Sequence, residues 1–225
     1  MSRWSESSAW ESPLSYRGLI LDFAGVMTTP IGQSSRAWCA SEGLPADTWR
    51  RTLEDDPAGR ALYVELELGR MEQVEWNRRT AALMGVSGDN LMGRAHGEVR
   101  AEAEMVELTQ RARSAGIVVA LLSNSYGVAP YNPYEKTGIW DLFDVRVISG
   151  VEGVAKPAPE IYRRTLERMG LAGSECVFVD DHRPNLAPAE ALGITAVFAD
   201  GPGTASRVAR LLDLDPVEPS TAVSR

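Results

Sequence analysis

The chain has 225 residues, enough for one or two domains and for a large core that needs no disulfide or metal staple. Apolar residues make up 44% and charged residues 24%, a globular balance that excludes disordered and fibrous classes. With 31 acidic against 23 basic residues the net charge is −8, which argues against nucleic acid and anionic membrane surfaces as partners. No apolar run approaches bilayer length, the opening MSRWSESSAWESPLS lacks an apolar signal core, and Cys39 and Cys176 form no CxxC pair. The expectation is a cytoplasmic protein with neither a disulfide framework nor a thiolate zinc site.

Residues 1–16 are polar and predict a loose tail. The apolar run GLILDF (18–23) follows, with no polar alternation, the pattern of a strand buried on both faces of a parallel sheet. The next such run begins only at Ile117, too far for a single crossover helix. The gap holds helix-like stretches at 34–42, 48–54, 59–68 and 72–84. Trp38, Trp49, Leu53, Leu62, Leu66, Val74 and Leu83 supply their apolar faces, which predicts a helical cap over 30–100, with the chain returning to the sheet near Met105. Strand-like runs then recur as IVVALLS (117–123), VRVIS (145–149), CVFVD (176–180) and ITAVF (194–198). Helices are expected at 159–169, 186–192 and 205–212, the first opened by Pro159 and closed by Gly170. Strand, helix and strand at this spacing predict an α/β fold, a doubly wound, mostly parallel sheet made of 17–29 and 101–212. Residues 213–225 read as a second loose tail.

Polar residues fall at the ends of these strands. The first run ends in Asp22, the second in Ser123 and Asn124, the fourth in Asp180 and Asp181. Ligands of open α/β sheets bind in the crevice outside the carboxyl ends of the strands, so these side chains converge there. Clustered carboxylates repel one another and call for a counter-charge, most simply a hard cation such as Mg²⁺. Lys156, one of only two lysines, precedes a helix start and supplies a second positive charge.

Taken together, LDFAGVMT, LLSNS, the lysine of GVAKPAPEIY and VFVDDHRPNLAPAEALGI resemble the four motifs of the haloacid dehalogenase-like hydrolase superfamily, over about 17–212. The resemblance implies a Rossmann-like core with an inserted helical cap and phosphatase chemistry on a small phosphorylated metabolite, carried out by a monomer or homodimer. Asp22 then matches the nucleophile that forms an aspartyl-phosphate. Ser123 and Asn124 match substrate-binding positions, and Lys156 the group that neutralises the nucleophile and the transferring phosphoryl. Mg²⁺ falls to Asp22, the Ala24 carbonyl and an acid of the fourth motif: Asp181, with Asp180 as ligand or supporting group.

One position departs from the phosphatase pattern. Two residues after the nucleophile that branch carries a second Asp, the general acid and base, where this chain has Ala24. The phosphonate-cleaving branch also has Ala there but uses a cap lysine, and Lys136 and Lys156 both lie outside 30–100. Dehalogenases lack the second Asp too, and also the acid pair. Three expectations therefore stand: a phosphatase that borrows an acid, with His182 a candidate; an inactive or weakly active protein that binds a phosphorylated ligand or partner; and a 2-haloacid dehalogenase-type hydrolase. His96 is read as structural. Tyr126, Tyr131 and Tyr134 either line the entrance or pack their own turn.

Overall fold

The computed structural model describes residues 16–217. Five strands, β1 (Gly18–Leu21), β2 (Val118–Ser123), β3 (Val145–Ile148), β4 (Cys176–Asp180) and β5 (Thr195–Phe198), form one all-parallel sheet in the order β3-β2-β1-β4-β5. Every strand run expected from the sequence is present, β1 stopping at Leu21 while Asp22 still donates its N–H to Val179. Alternate residues take opposite faces. Leu19, Leu21, Val119, Leu121, Val177 and Val179 join one buried cluster, and Ile20, Ala120, Leu122, Cys176 and Phe178 join another. Strand order reverses at β1, which is central, so the crevice at its carboxyl end is the switch point of the sheet.

Between β1 and β2 the chain leaves the sheet through α1 (Ile31–Ser41), α2 (Thr48–Arg50) with a π-helical turn at Arg51–Asp55, α3 (Pro57–Glu67), α4 (Gln73–Met84) and α5 (Leu91–Ala95), and returns by α6 (Ala103–Ser114). Asp56 accepts from the N–H groups of Ala58 and Gly59 at the start of α3, with Pro57 in its first turn. The insertion has its own apolar cluster around Trp38, Trp49, Leu62, Leu66 and Trp76, with Trp38–Trp49 and Trp49–Trp76 ring pairs at 5.6 and 6.0 Å. Two expected core residues are not in it: Val74 is 64% and Leu83 45% exposed. The buried stripe of α4 is instead Gln73, Trp76, Asn77, Thr80, Ala81 and Met84, the i, i+3, i+4 set aimed at α3 and α5.

After β2 come α7 (Pro133–Lys136), α8 (Ser149–Glu152), α9 (Pro159–Met169), α10 (Leu186–Glu190) and α11 (Thr204–Leu211). The expected loose tails lie mostly outside the described residues, but 213–217 are not loose. Val217 is buried in the sheet cluster, and its carbonyl accepts from Ser206 at 2.6 Å. Tyr16 likewise bonds Thr195 at 2.7 Å. Among the described residues, no helix is long and apolar enough to cross a membrane.

Candidate active site

The carboxyl ends of β1, β2 and β4 bring Asp22, Ser123 and Asp180 to one place. Lys156, on the loop before α9, enters between two of them. Its Nζ lies 2.7 Å from Asp22 Oδ1 and 2.6 Å from Asp180 Oδ2, and all three side chains are withdrawn from solvent. Burial works against the lysine charge, but the two carboxylates reverse this and raise its pKa. Burial also pushes the Asp22 carboxyl up to about 6, with Lys156 pulling it down and Asp180 pushing it further up.

The two adjacent aspartates differ sharply. Asp180 is fully buried: Oδ1 accepts from the His182 N–H at 2.7 Å and from Asn185 at 3.1 Å, and Oδ2 accepts from Lys156 and from Asn185 at 3.0 Å. Its oxygens are engaged with protein donors. Asp181 stands exposed at the rim, and carboxylate oxygens of Asp22, Asp180 and Asp181 lie within 4.8 Å of one another. Partial desolvation at the rim, then the charge of Asp180, raise the Asp181 pKa. Gly25, at φ 74°, is what lets it approach: a Cβ there would fall 2.1 Å from Asp181 Oδ2. The donor set fits a hard divalent cation through Asp22 and Asp181, with Asp180 holding Lys156 in place.

Asn124 does not stand free for a ligand. Its amide donates to the Lys156 carbonyl at 2.9 Å and accepts from the Lys156 N–H at 2.8 Å, so it fixes the loop that carries the lysine. Ser123 is buried at the end of β2. Tyr134, fully buried, packs edge-on against Phe23 at 4.7 Å, and its hydroxyl, on the side of Ser123 and Ser125, closes no hydrogen bond of standard geometry. His182 contributes its N–H to Asp180 while its side chain is exposed. His96 is buried against Trp49 and paired with the Tyr126 hydroxyl at 2.8 Å. Burial lowers its pKa to about 4, and its structural reading stands.

A family model of haloacid dehalogenase-like hydrolases matches residues 14–193. The chain belongs to this family. It is 27% identical over 214 residues to mouse acyl-CoA dehydrogenase family member 10, a match covering 90% of this chain but only 19% of that much longer protein. It is 29% identical to a phosphatase of Mycobacterium tuberculosis, MT3486, across 81% of this chain and 79% of the relative. Among solved structures it resembles the Bacteroides thetaiotaomicron family enzyme bt-2542, in complex with magnesium and inorganic phosphate, with TM-score 0.65 and 22% identity over 81% of this chain and 93% of that one. An L-2-haloacid dehalogenase aligns with TM-score 0.61 and 21% identity over 84% and 88%. Both structures share the fold of this hydrolase.

Sequence reading missed three contributors. Asn185, which holds both oxygens of Asp180, sits five residues after it in DHRPN and was findable as a polar residue one turn beyond the acid pair. Tyr63 and Glu67 carry no motif. They lie on α3 within electrostatic reach of Lys156 and Asp22, where burial raises the Glu67 carboxyl, opposed by the Tyr63 hydroxyl and by the charge of Lys156. Tyr63 is pushed well above its ordinary value by burial and by Glu67, with Asp22 adding to this.

Proposed function

We propose that this hydrolase is a Mg²⁺-dependent phosphatase acting on a small phosphorylated metabolite through an aspartyl-phosphate at Asp22. The observation that carries the reading is the contrast at the carboxyl ends of β1 and β4. Asp22 is held by Lys156 at 2.7 Å, Asp180 has its oxygens occupied, and Asp181 stands open beside both. A nucleophile neutralised on one oxygen, with an open acid next to it, suits attack on an anionic phosphoryl group. Asp22, Asp181 and the Ala24 carbonyl would hold Mg²⁺, which supplies positive charge to the phosphoryl oxygens. Ser123 donates to one of those oxygens. Lys156 keeps the Asp22 carboxylate aimed and offsets charge as it develops, while Asn124 and Asp180 keep Lys156 there. The helical insertion acts as the cap that selects the substrate. The same aspartate in a dehalogenase would attack carbon and would have no use for an open acid at 181, so the phosphatase reading is preferred.

A panel of phosphorylated metabolites, assayed with and without Mg²⁺ on wild type and Asp22→Asn, tests this. The expected result is Mg²⁺-dependent phosphate release by wild type and none by the variant. Release that survives Asp22→Asn overturns the covalent route. Binding of phosphorylated ligands without turnover by wild type identifies a binding protein instead.

A further inference from the structure

We propose that Glu67, presented on α3 beside Tyr63, is the acid and base that position 24 lacks. The proposal rests on the phosphatase reading and names the missing proton carrier of that site. In-line displacement sets the direction: if Asp22 attacks from the floor, the departing oxygen lies on the opposite side of phosphorus, toward the insertion. A proton for that oxygen must come from the roof.

The roof is fixed over the floor at the turn that follows Glu67. Gly69, at φ 65°, lies so close to the Gly150 carbonyl in α8 that a Cβ would fall 2.1 Å from its oxygen. Four residues later Gln73 accepts from the Tyr131 N–H at 2.9 Å and donates to the Tyr131 carbonyl at 3.0 Å and the Tyr126 carbonyl at 3.4 Å. The turn between α3 and α4 is therefore held to the loops after β2 and β3, which flank Ser123 and Lys156. Glu67 is the last residue of α3, at the head of that turn. Tyr63, one helical turn earlier on the same face, rests on Trp76 at 6.4 Å. Neither side chain is sealed in: both keep partial exposure, as groups lining a cleft do. The charge of Lys156 reaches Glu67 and that of Asp22 reaches Tyr63, so both lie within electrostatic range of the floor.

The other candidates drop out. His182 follows the floor acids and is not on the insertion, His96 is locked to Tyr126, and the phenols of Tyr63, Tyr126 and Tyr131 are all pushed upward by burial, away from use near neutral pH. Burial shifts the Glu67 carboxyl the same way, in the direction a general acid needs. In the first half-reaction the Asp22–phosphorus bond forms, the bond from phosphorus to the leaving oxygen breaks, and that oxygen takes the Glu67 proton. In the second, water attacks phosphorus, Glu67 carboxylate takes its proton, and the Asp22–phosphorus bond breaks to release inorganic phosphate. The sum is hydrolysis of one phosphate ester, with Glu67 returned to its carboxyl form.

The test compares an alkyl phosphate with 4-nitrophenyl phosphate on wild type, Glu67→Gln, Glu67→Asp and Asp22→Asn. For Glu67→Gln, kcat/KM on the alkyl ester should fall about 10²–10⁴-fold, the usual worth of a positioned acid, and its decline at high pH should vanish. On the aryl ester, whose phenolate leaves without a proton, kcat/KM should hold within roughly threefold. Glu67→Asp should recover part of the alkyl rate, with its pH profile displaced. An unchanged alkyl-to-aryl ratio, or a change in KM alone, overturns the role of Glu67 while Asp22→Asn, inactive on both, keeps the phosphatase reading. Wild type inactive on both esters overturns the two together.

Discussion

The floor and the roof of the crevice hold their charged groups by opposite means. On the floor, Lys156, Asp22 and Asp180 come from three separate segments and are joined through the lysine, with Asn124 bracing Lys156 and Asn185 bracing Asp180. Removing one partner leaves a buried charge uncompensated. On the roof, Tyr63 and Glu67 are neighbours on a single helix and keep access to solvent. The floor is a buried ion-pair cluster tied into the ends of β1 and β4. The roof is held to the floor by Gly69 and Gln73 rather than by Tyr63 or Glu67, so those two side chains can change with little cost to folding.

The sharpest way to break this contrast is at the nucleophile. Asp22→Asn should reduce phosphate release below detection, because an amide is not a useful nucleophile, while the circular dichroism spectrum stays unchanged. A variant that keeps more than a few percent of activity would separate the floor from the chemistry altogether.

Next in size is stability. Asp180→Asn takes from Lys156 one of its two carboxylates at full burial, and breaking such a pair costs about 3–5 kcal/mol. Glu67→Gln on the open roof should cost no more than about 0.5 kcal/mol. Urea midpoints of the two variants against wild type measure the difference directly. Similar losses would mean that the roof is as tightly bound into the fold as the floor.

Acid should then act on the two regions with opposite signs. His96 in the insertion is held neutral, its pKa lowered from 6.5 to about 4 by burial, so the unfolded chain takes up the proton first. Its contribution is complete above pH 6.5 and is lost as pH falls toward 4, up to about 3 kcal/mol. Asp22 runs the other way. With its pKa raised from 3.8 to about 6, the folded state binds the proton more readily, and the floor gains stability as pH falls through that window. Hydrogen exchange at pH 5 against pH 7 should show α1–α5 opening more readily while β1, β2 and β4 hold. Tyr126→Phe, which strips His96 of its partner, should weaken the insertion by about 1–3 kcal/mol at pH 7.

How legible each region was follows from the same difference. Sheet strands are continuous apolar runs that end in polar residues, so the chain positions of β1 to β5 and of Asp22, Ser123, Asp180 and Asp181 at their ends could be read directly, while the strand order in the sheet could not. The lysine was conspicuous for its rarity. In the insertion, amphipathic periodicity predicted helices within a few residues but misjudged one face: Val74 and Leu83 fit an apolar pattern, yet Trp76 and Met84 take the core because α3 and α5 pack against that side. Asn124 was read as a ligand contact, since sequence gives no sign that an amide will be turned onto a neighbouring loop. Tyr126 and Tyr134 proved buried, Tyr126 tied to His96 and Tyr134 packed on Phe23, so each anchors its loop to another part of the molecule rather than packing the turn on itself. Glu67 was invisible because an acid on a solvated helix face is ordinary. Only the docking of the turn that follows it onto the loops after β2 and β3 makes it informative.

The smallest expected effect is also the most discriminating. Ala24→Asp places a carboxyl two residues after the nucleophile, on the floor, where a second acid would serve. If Glu67 already protonates the leaving group, this substitution alone should change alkyl phosphate turnover by less than about tenfold, since the proton is not what is missing. In the Glu67→Gln background the same change should recover more of the alkyl rate than it adds to wild type, while aryl phosphate turnover responds little in either. The signature is therefore non-additivity: a coupling between positions 24 and 67, measured as a double-mutant cycle on kcat/KM with the alkyl ester. Like charges on Asp22 and Asp181 would raise the pKa of a carboxyl at 24 and keep it protonated, as the acid of the first half-reaction needs, but would hinder it as the base of the second. Its recovery should accordingly be partial, and its pH optimum displaced from that of wild type. Equal gains in both backgrounds would show that floor and roof do not share the proton, and that Ala24 marks a vacancy which nothing on α3 fills.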